Sequence, residues 1–327
     1  MAASRGRSAS TAAAPAARCD HGAMPPTILA GTDDGLHVLG DERRSELAGR
    51  RIGALAAGPG SVVAVVDDTE IAASDGRGGW EALASLERRQ ARCLLADADG
   101  TLIGTSEAHL LRARGGAIEP VDGFESISGR SRWFTPWGGP PATRSLASGA
   151  SGELYANVHV GGIPRSDDGG RSWRPTIEIE VDAHEVLAPA GRPGLVLAAT
   201  ARGLAVSRDA GASWDVTAAG LAASYARSVA LAGESVLIGA SDGPRGGHAA
   251  VYRRALATDA PFERCTAGVP GWFADNIDTA CLKADGSAAA FGTAGGEVYA
   301  SDDGGETWAL RAGGLPPVRC LLLTAGT

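Results

Sequence analysis

The sequence predicts an all-β ring, a seven-bladed β-propeller of four-stranded antiparallel blades closed by its own N- and C-terminal strands. Three observations predict it. The pattern Ser-x-Asp-x-Gly-x-Ser/Thr-Trp occurs at 166–173, 207–214 and 301–308. Its copies start 41 and 94 residues apart, one and about two repeats of a four-stranded blade. The segments between them are short and Val/Ala/Leu-rich, broken by Gly-Gly, Asp-Gly and Pro-Gly, and none has a helical period.

Taken in order, the first 25 residues are Ala/Ser/Arg/Pro-rich without an apolar run, and read as a disordered leader rather than a signal peptide. Residues 26–327 then form one domain. Strands are expected at Thr27–Ala30, Gly35–Leu39 and roughly Arg43–Leu47, with no innermost strand before them. A recurring lead, a polar or Arg-bearing residue entering an apolar run, marks the innermost strand of each blade. It starts at Arg51, Ala91, Thr143, Ala183, Ala226, Ile277 and Val318. The last of these, 318–323, has no blade after it. The two ends therefore complete each other and remove the exposed edges of an open sheet. Six blades is the fallback if the weak unit at 88–121 fails. Two connections exceed what a blade needs, 122–141 and 266–276, and a third long loop spans Ser241–His248; all three lie on the face where the funnel opens.

In the repeated pattern the Ser and Asp side chains accept bonds from the turn's own N–H groups, and Gly supplies a positive φ. The Trp opens the next strand and packs between sheets. A worn copy, 74–80, is one residue short. The pattern resembles the Asp-box (BNR) repeat of sialidase-like and sortilin-like propellers, over roughly 27–323. In that family the boxes sit on the rim, away from function. A sialidase would place three arginines on a sugar carboxylate, with a Tyr–Glu nucleophile pair and an Asp acid/base, on six blades. Its Phe-Arg-Ile-Pro motif is absent here, where Gly162-Ile163-Pro164-Arg165 stands instead. The chain is more similar to the bacterial WD40/YVTN/BNR-like propellers, akin to those that assist photosystem assembly.

Formal charge is −8, which argues against a nucleic-acid or anionic-membrane partner. No apolar run is long enough to cross a membrane. Of five cysteines, Cys93, Cys281 and Cys320 fall inside apolar runs and none forms a CxxC pair, as suits a reducing cytoplasm.

Aligned on the following Gly turn, the leads bring Ile52, Arg92, Arg144, His184, Arg227, Asp278 and Arg319 to equivalent positions around the channel mouth. Arginine forks suit carboxylate or phosphate. The long loops carry Trp133, Trp137 and Trp272, with Phe134 and Phe273, as a wall over the funnel or as plugs anchoring the loops. Asn157 and Tyr225 belong to the same face. His159 and His184 form the one candidate histidine pair, with Asp182, Asp275 or Asp278 as carboxylate. Spacing gives no metal signature, so no cofactor is expected and a His159/His184 metal is the lesser reading. The expected function is binding of an anionic small molecule or peptide at the funnel. An enzyme, a glycoside hydrolase or lyase using His184, His159 and Asp278 catalytically, is the first alternative. A protein-assembly scaffold is the second.

Overall fold

A computed structural model describes residues 26–325; the expected leader, 1–25, lies outside the described residues. Seven antiparallel sheets make the ring. Their innermost strands are Ile52–Gly58, Ala91–Asp97, Thr143–Ser148, Ala183–Leu187, Tyr225–Ala232, Leu282–Asp285 and Val318–Thr324. Each innermost strand packs on the next, and Val318–Thr324 packs on Ile52–Gly58 to complete the circle. Val318–Thr324 also pairs with Thr27–Thr32, from Thr324 opposite Thr27 to Val318 opposite Thr32, so the first blade is built from both ends of the chain. The unit at 88–121 is a full four-stranded blade, which fixes the count at seven. One blade carries three regular strands; its fourth is reduced to a bridge in which Arg165 and Arg174 exchange N–H···O bonds of 2.8 and 2.9 Å.

Blades bury both faces against their neighbours. Leu154–Val158, Val196–Thr200 and Gly203–Ser207 are therefore buried at every position, and read as apolar runs instead of alternating. Apolar clusters sit between blades: Leu197 and Leu204 of one pack on Val229 and Ile238 of the next. Among the described residues helix is confined to single turns: Asp122–Glu125 and Arg130–Arg132 in one long loop, and Ile179–Val181.

Six innermost strands share one irregularity near their start. The ladder skips Gly53, Arg92, Arg144, His184, Arg227 and Arg319, a one-residue bulge each. At several of these strand starts the residue that follows the irregularity is tied to the next blade. The thiols of Cys93, Cys281 and Cys320 and the hydroxyl of Ser228 donate to the carbonyls of Thr143, Val318, Ile52 and Ile277, at 3.4, 3.6, 3.7 and 2.9 Å. Burial pushes the Cys93 and Cys320 thiols up to about 12, so these cysteines are structural donors and not nucleophiles at neutral pH.

The Asp boxes fall between the third and fourth strands, on the face opposite the long loops. In each full copy the Ser Oγ accepts the Gly N–H, at 2.9, 2.7 and 2.9 Å for Gly170, Gly211 and Gly305. The Asp carboxylate accepts the N–H and the hydroxyl of Ser172, Ser213 or Thr307, with the hydroxyl at 2.6 Å each time. In the worn copy Asp75 Oδ1 takes the N–H groups of Arg77 and Gly79, at 2.7 and 2.9 Å. Asp303→Ala should cost about 1–2 kcal/mol in denaturant unfolding through lost turn bonds, with no loss of ligand binding where the fold survives.

The same bonds give the boxes a pH signature. The Ser172 hydroxyl and N–H hold Asp168 at about 2, and Ser213 holds Asp209 at about 2, both below the ordinary 3.8. A depressed folded-state pKa contributes stability that is present above the unfolded value and lost as pH falls through the folded one. The urea midpoint should therefore fall as pH is taken from about 4 to about 2, and Asp168→Asn should flatten that fall; an unchanged slope in the variant would contradict the assignment.

Candidate functional site

The bulges set the register at which the innermost strands begin. Two positions differ from the sequence alignment. Gly53, not Ile52, is skipped by the ladder, and Ile52 is 0% exposed in the core. In the blade built on Leu282–Asp285 the chain between Ile277 and Cys281 makes a longer detour through Asp278, Thr279 and Ala280, held by a bond from Cys281 N–H to Asp278 O at 2.9 Å. Asp278 thus occupies a detour and not the shared position. Its Oδ1 accepts Arg227 Nε and Nη2, at 2.9 and 2.6 Å.

One side of the mouth gathers Arg144, His159, Asp182, His184, Tyr225 and Trp137. His159 follows the strand Leu154–Val158, and Asp182 and His184 flank the start of Ala183–Leu187. His159 Nε2 stands 3.4 Å from Asp182 Oδ1, and His184 Nε2 stands 3.4 Å from Asp182 Oδ2. The Trp137 ring lies 5.1 Å from the His159 ring, and the Tyr225 ring lies 4.7 Å from the His184 ring. Trp137 is 68% exposed and so forms an open wall. Burial, then the charge of Arg144, pushes His159 down to about 4, so it is neutral at pH 7. Burial would raise Asp182, but His184, His159 and Arg144 outweigh it and hold the carboxylate below its ordinary value. Burial, then the charge of Arg227, lowers Arg144 to about 10.

The other side is a cavity of about 210 Å³ lined by Arg227, Arg245, Asp275, Asn276, Asp278 and Arg319 among others. Burial works against the charge of Arg227, yet Asp278 and Tyr225 more than offset it and raise its pKa. Arg319 pairs with Asp33, which also accepts from Arg51. The loops over this cavity hold one another: Gly247 N–H donates to Ala274 O at 2.7 Å, and Asn276 Nδ2 donates to Gly243 O at 3.3 Å. Arg245 comes from the long loop Ser241–His248, and nothing in the local sequence ties that loop to the axis.

Three expected site residues lie elsewhere. Arg92 is exposed and bonds Gln90 at 2.6 Å. Trp133 packs among Phe124, Val158 and Trp173, with Arg130 over its ring at 4.8 Å, so it anchors its loop. Trp272 lies under Arg264, 4.1 Å from ring centre to guanidinium, and beside His248. Asn157 is fully buried behind the mouth; its Nδ2 donates to Ala183 O at 2.8 Å. A larger cavity, about 990 Å³, lies between the first two blades and includes Leu36, Val38, Arg44, Glu46 and Trp80. Glu46 there is bonded to Arg44 and Trp80.

Among the described residues, nine buried side-chain polar atoms lack a hydrogen-bond partner. Five belong to the mouth or the strand starts behind it: Thr143 Oγ1, Arg144 Nη1, Asn157 Oδ1, Asp182 Oδ1 and His184 Nε2. Such atoms are costly unless a ligand or water serves them, and here they concentrate at one place. A fully connected counterexample lies next door. Glu185, buried behind the bulge, accepts Lys283 Nζ at 2.7 Å and the N–H groups of Val229 and Ala280.

The family description BNR/Asp-box repeat matches residues 299–310. No curated protein sequence matches the chain. Among solved structures it is similar to an ancestral GH74 enzyme at 14% identity and TM-score 0.61, covering 87% of this chain and 40% of that one. The GH74 enzyme of Niastella koreensis gives 15% identity and TM-score 0.55, over 86% of this chain and 46% of that one. The WD40 repeats of RRP9 give 17% and 0.58, over 89% and 86%. The chain thus spans less than half of the two GH74 enzymes. At these identities the likeness is one of fold. No helix among the described residues is long and apolar enough to cross a membrane.

Proposed function

We propose that this seven-bladed Asp-box propeller binds an anionic small molecule or peptide, a carboxylate or phosphate on an apolar body, at its axial mouth. One observation carries the reading. Arg144 is half-buried, its guanidinium Nη1 is out of water without a partner, and burial and the charge of Arg227 lower its pKa to about 10. A charged group held so is stabilised by an arriving anion, and the fork fixes that anion's orientation. Trp137 supplies the apolar wall, and Arg227, Arg245 and Arg319 extend the positive field across the adjoining cavity. The formal charge of −8 leaves nucleic acid and anionic membranes as unsuited partners, and four buried free thiols suit a reducing, cytoplasmic setting.

Calorimetric titration with aromatic carboxylates and phosphate monoesters, each against its neutral amide or alcohol, tests the reading. The acids should bind, their neutral counterparts should not, and affinity should fall with salt. Equal binding of acid and amide, or no acid binding at millimolar concentration, overturns it.

A further inference from the structure

We infer that His159, Asp182 and His184 form a binding site for a divalent first-row transition-metal ion of the zinc and cobalt class. The site goes beyond the anion reading, because its geometry stands without an anion. The three side chains each present one donor atom, and all three atoms lie within 4.8 Å of one another. Both histidine-to-carboxylate distances are 3.4 Å, on separate oxygens. A tetrahedral ion with bonds of about 2.0–2.2 Å places its donors roughly 3.3 Å apart, which the two histidine-to-carboxylate distances match, so closure asks that the donor atoms draw in from their present limit of 4.8 Å.

The tautomer of His184 is set for the task. Its Nδ1–H donates to Ala226 O at 2.6 Å, which leaves the Nε2 lone pair facing Asp182. That is the support a metal-bound imidazole ordinarily has. His184 is 0% exposed and Nε2 has no hydrogen-bond partner, nor has Asp182 Oδ1. Two imidazoles with one carboxylate select a transition metal over magnesium or calcium, which take oxygen ligands.

Arg144 beside the group opposes a bare cation, and an anion lying between the metal and Arg144 relieves that opposition. Metal and anion should therefore strengthen each other, equally in either order of addition. Sequence spacing could not show the site, since 159, 182 and 184 match no ligand signature and meet only when neighbouring blades pack.

The test uses the full chain, freed of metal by chelator dialysis and titrated with cobalt(II) or zinc(II) alone. One equivalent should bind, with a visible cobalt absorption typical of low coordination. Asp182→Asn and His159→Gln, which keep shape, should each weaken binding more than the 10–100-fold that a supporting residue costs. Melting temperatures check that both variants fold. Arg144→Ala should bind the ion more tightly while binding acids less, so failure of the metal site and failure of the anion site give different results. Absence of stoichiometric binding, or unchanged affinity in both folded variants, overturns the inference.

Discussion

A chain lacking residues 318–327 is expected to lose its cooperative melt and to elute as aggregate. Val318–Thr324 is the innermost strand of a blade whose other three strands come from the opposite end of the chain. It buries Val318, Cys320 and Leu321 at 4%, 0% and 1% exposure and packs on the strands at 52–58 and 282–285. Three buried side chains at about 1.5–3 kcal/mol each already approach the 5–15 kcal/mol that holds a domain together. Deletion also frees the edge of Thr27–Thr32 and uncovers Leu29 and Ile28, a template for pairing with other chains. Calorimetry and size-exclusion chromatography read both effects. A truncated protein that melts as a monomer at the temperature of the full chain would sink the closure.

Arg144→Ala should weaken binding of an acidic ligand by about 1.5–3 kcal/mol, the worth of a charged hydrogen bond, which is roughly 10- to 150-fold. Arg144→Lys should recover part of it, because an ammonium carries the charge but cannot fork. Arg92→Ala serves as control, since Arg92 lies outside the niche and is bonded to Gln90. The ligand-free protein should show the opposite tendency. With its pKa lowered from 12.5 to about 10, Arg144 is less easily charged when folded than when unfolded, so its charge opposes folding at neutral pH. The alanine variant should therefore melt no lower than the parent, and a marked drop would show that Arg144 serves the scaffold instead.

The Asp boxes were legible because their chemistry is local: Ser166, Asp168, Gly170 and Ser172 bond only within one turn. The terminal strands were legible for a different reason, as two incomplete units that only each other could complete. Register was harder. Ile52 and Gly53 are one residue apart, and a bulge leaves no mark in hydrophobic period, so the alignment slipped there; the detour at Asp278–Ala280 displaced a second position. Trp133 and Trp137 stand in one loop and read alike in sequence. Which of them plugs and which faces outward depends on Phe124 and Trp173, residues from another part of that loop and from the next hairpin. Asp182 drew notice as a carboxylate near two histidines, but its distances to them arise only from the packing of neighbouring blades.

A residue left out of the Cα pairing belongs to no pair of the ladder, so where its side chain is exposed, as at Arg92 and Arg319, exchanging it need not disturb the sheet. In Arg92, Arg144, His184, Arg227 and Arg319 that slot carries a charged or titratable group, and in Gly53 it is empty of side chain altogether. The ring thus works as a set of sockets on a fixed frame. The exposed sockets are open to rewriting one at a time, by evolution or in the laboratory, while the interlocked blades stay as they are.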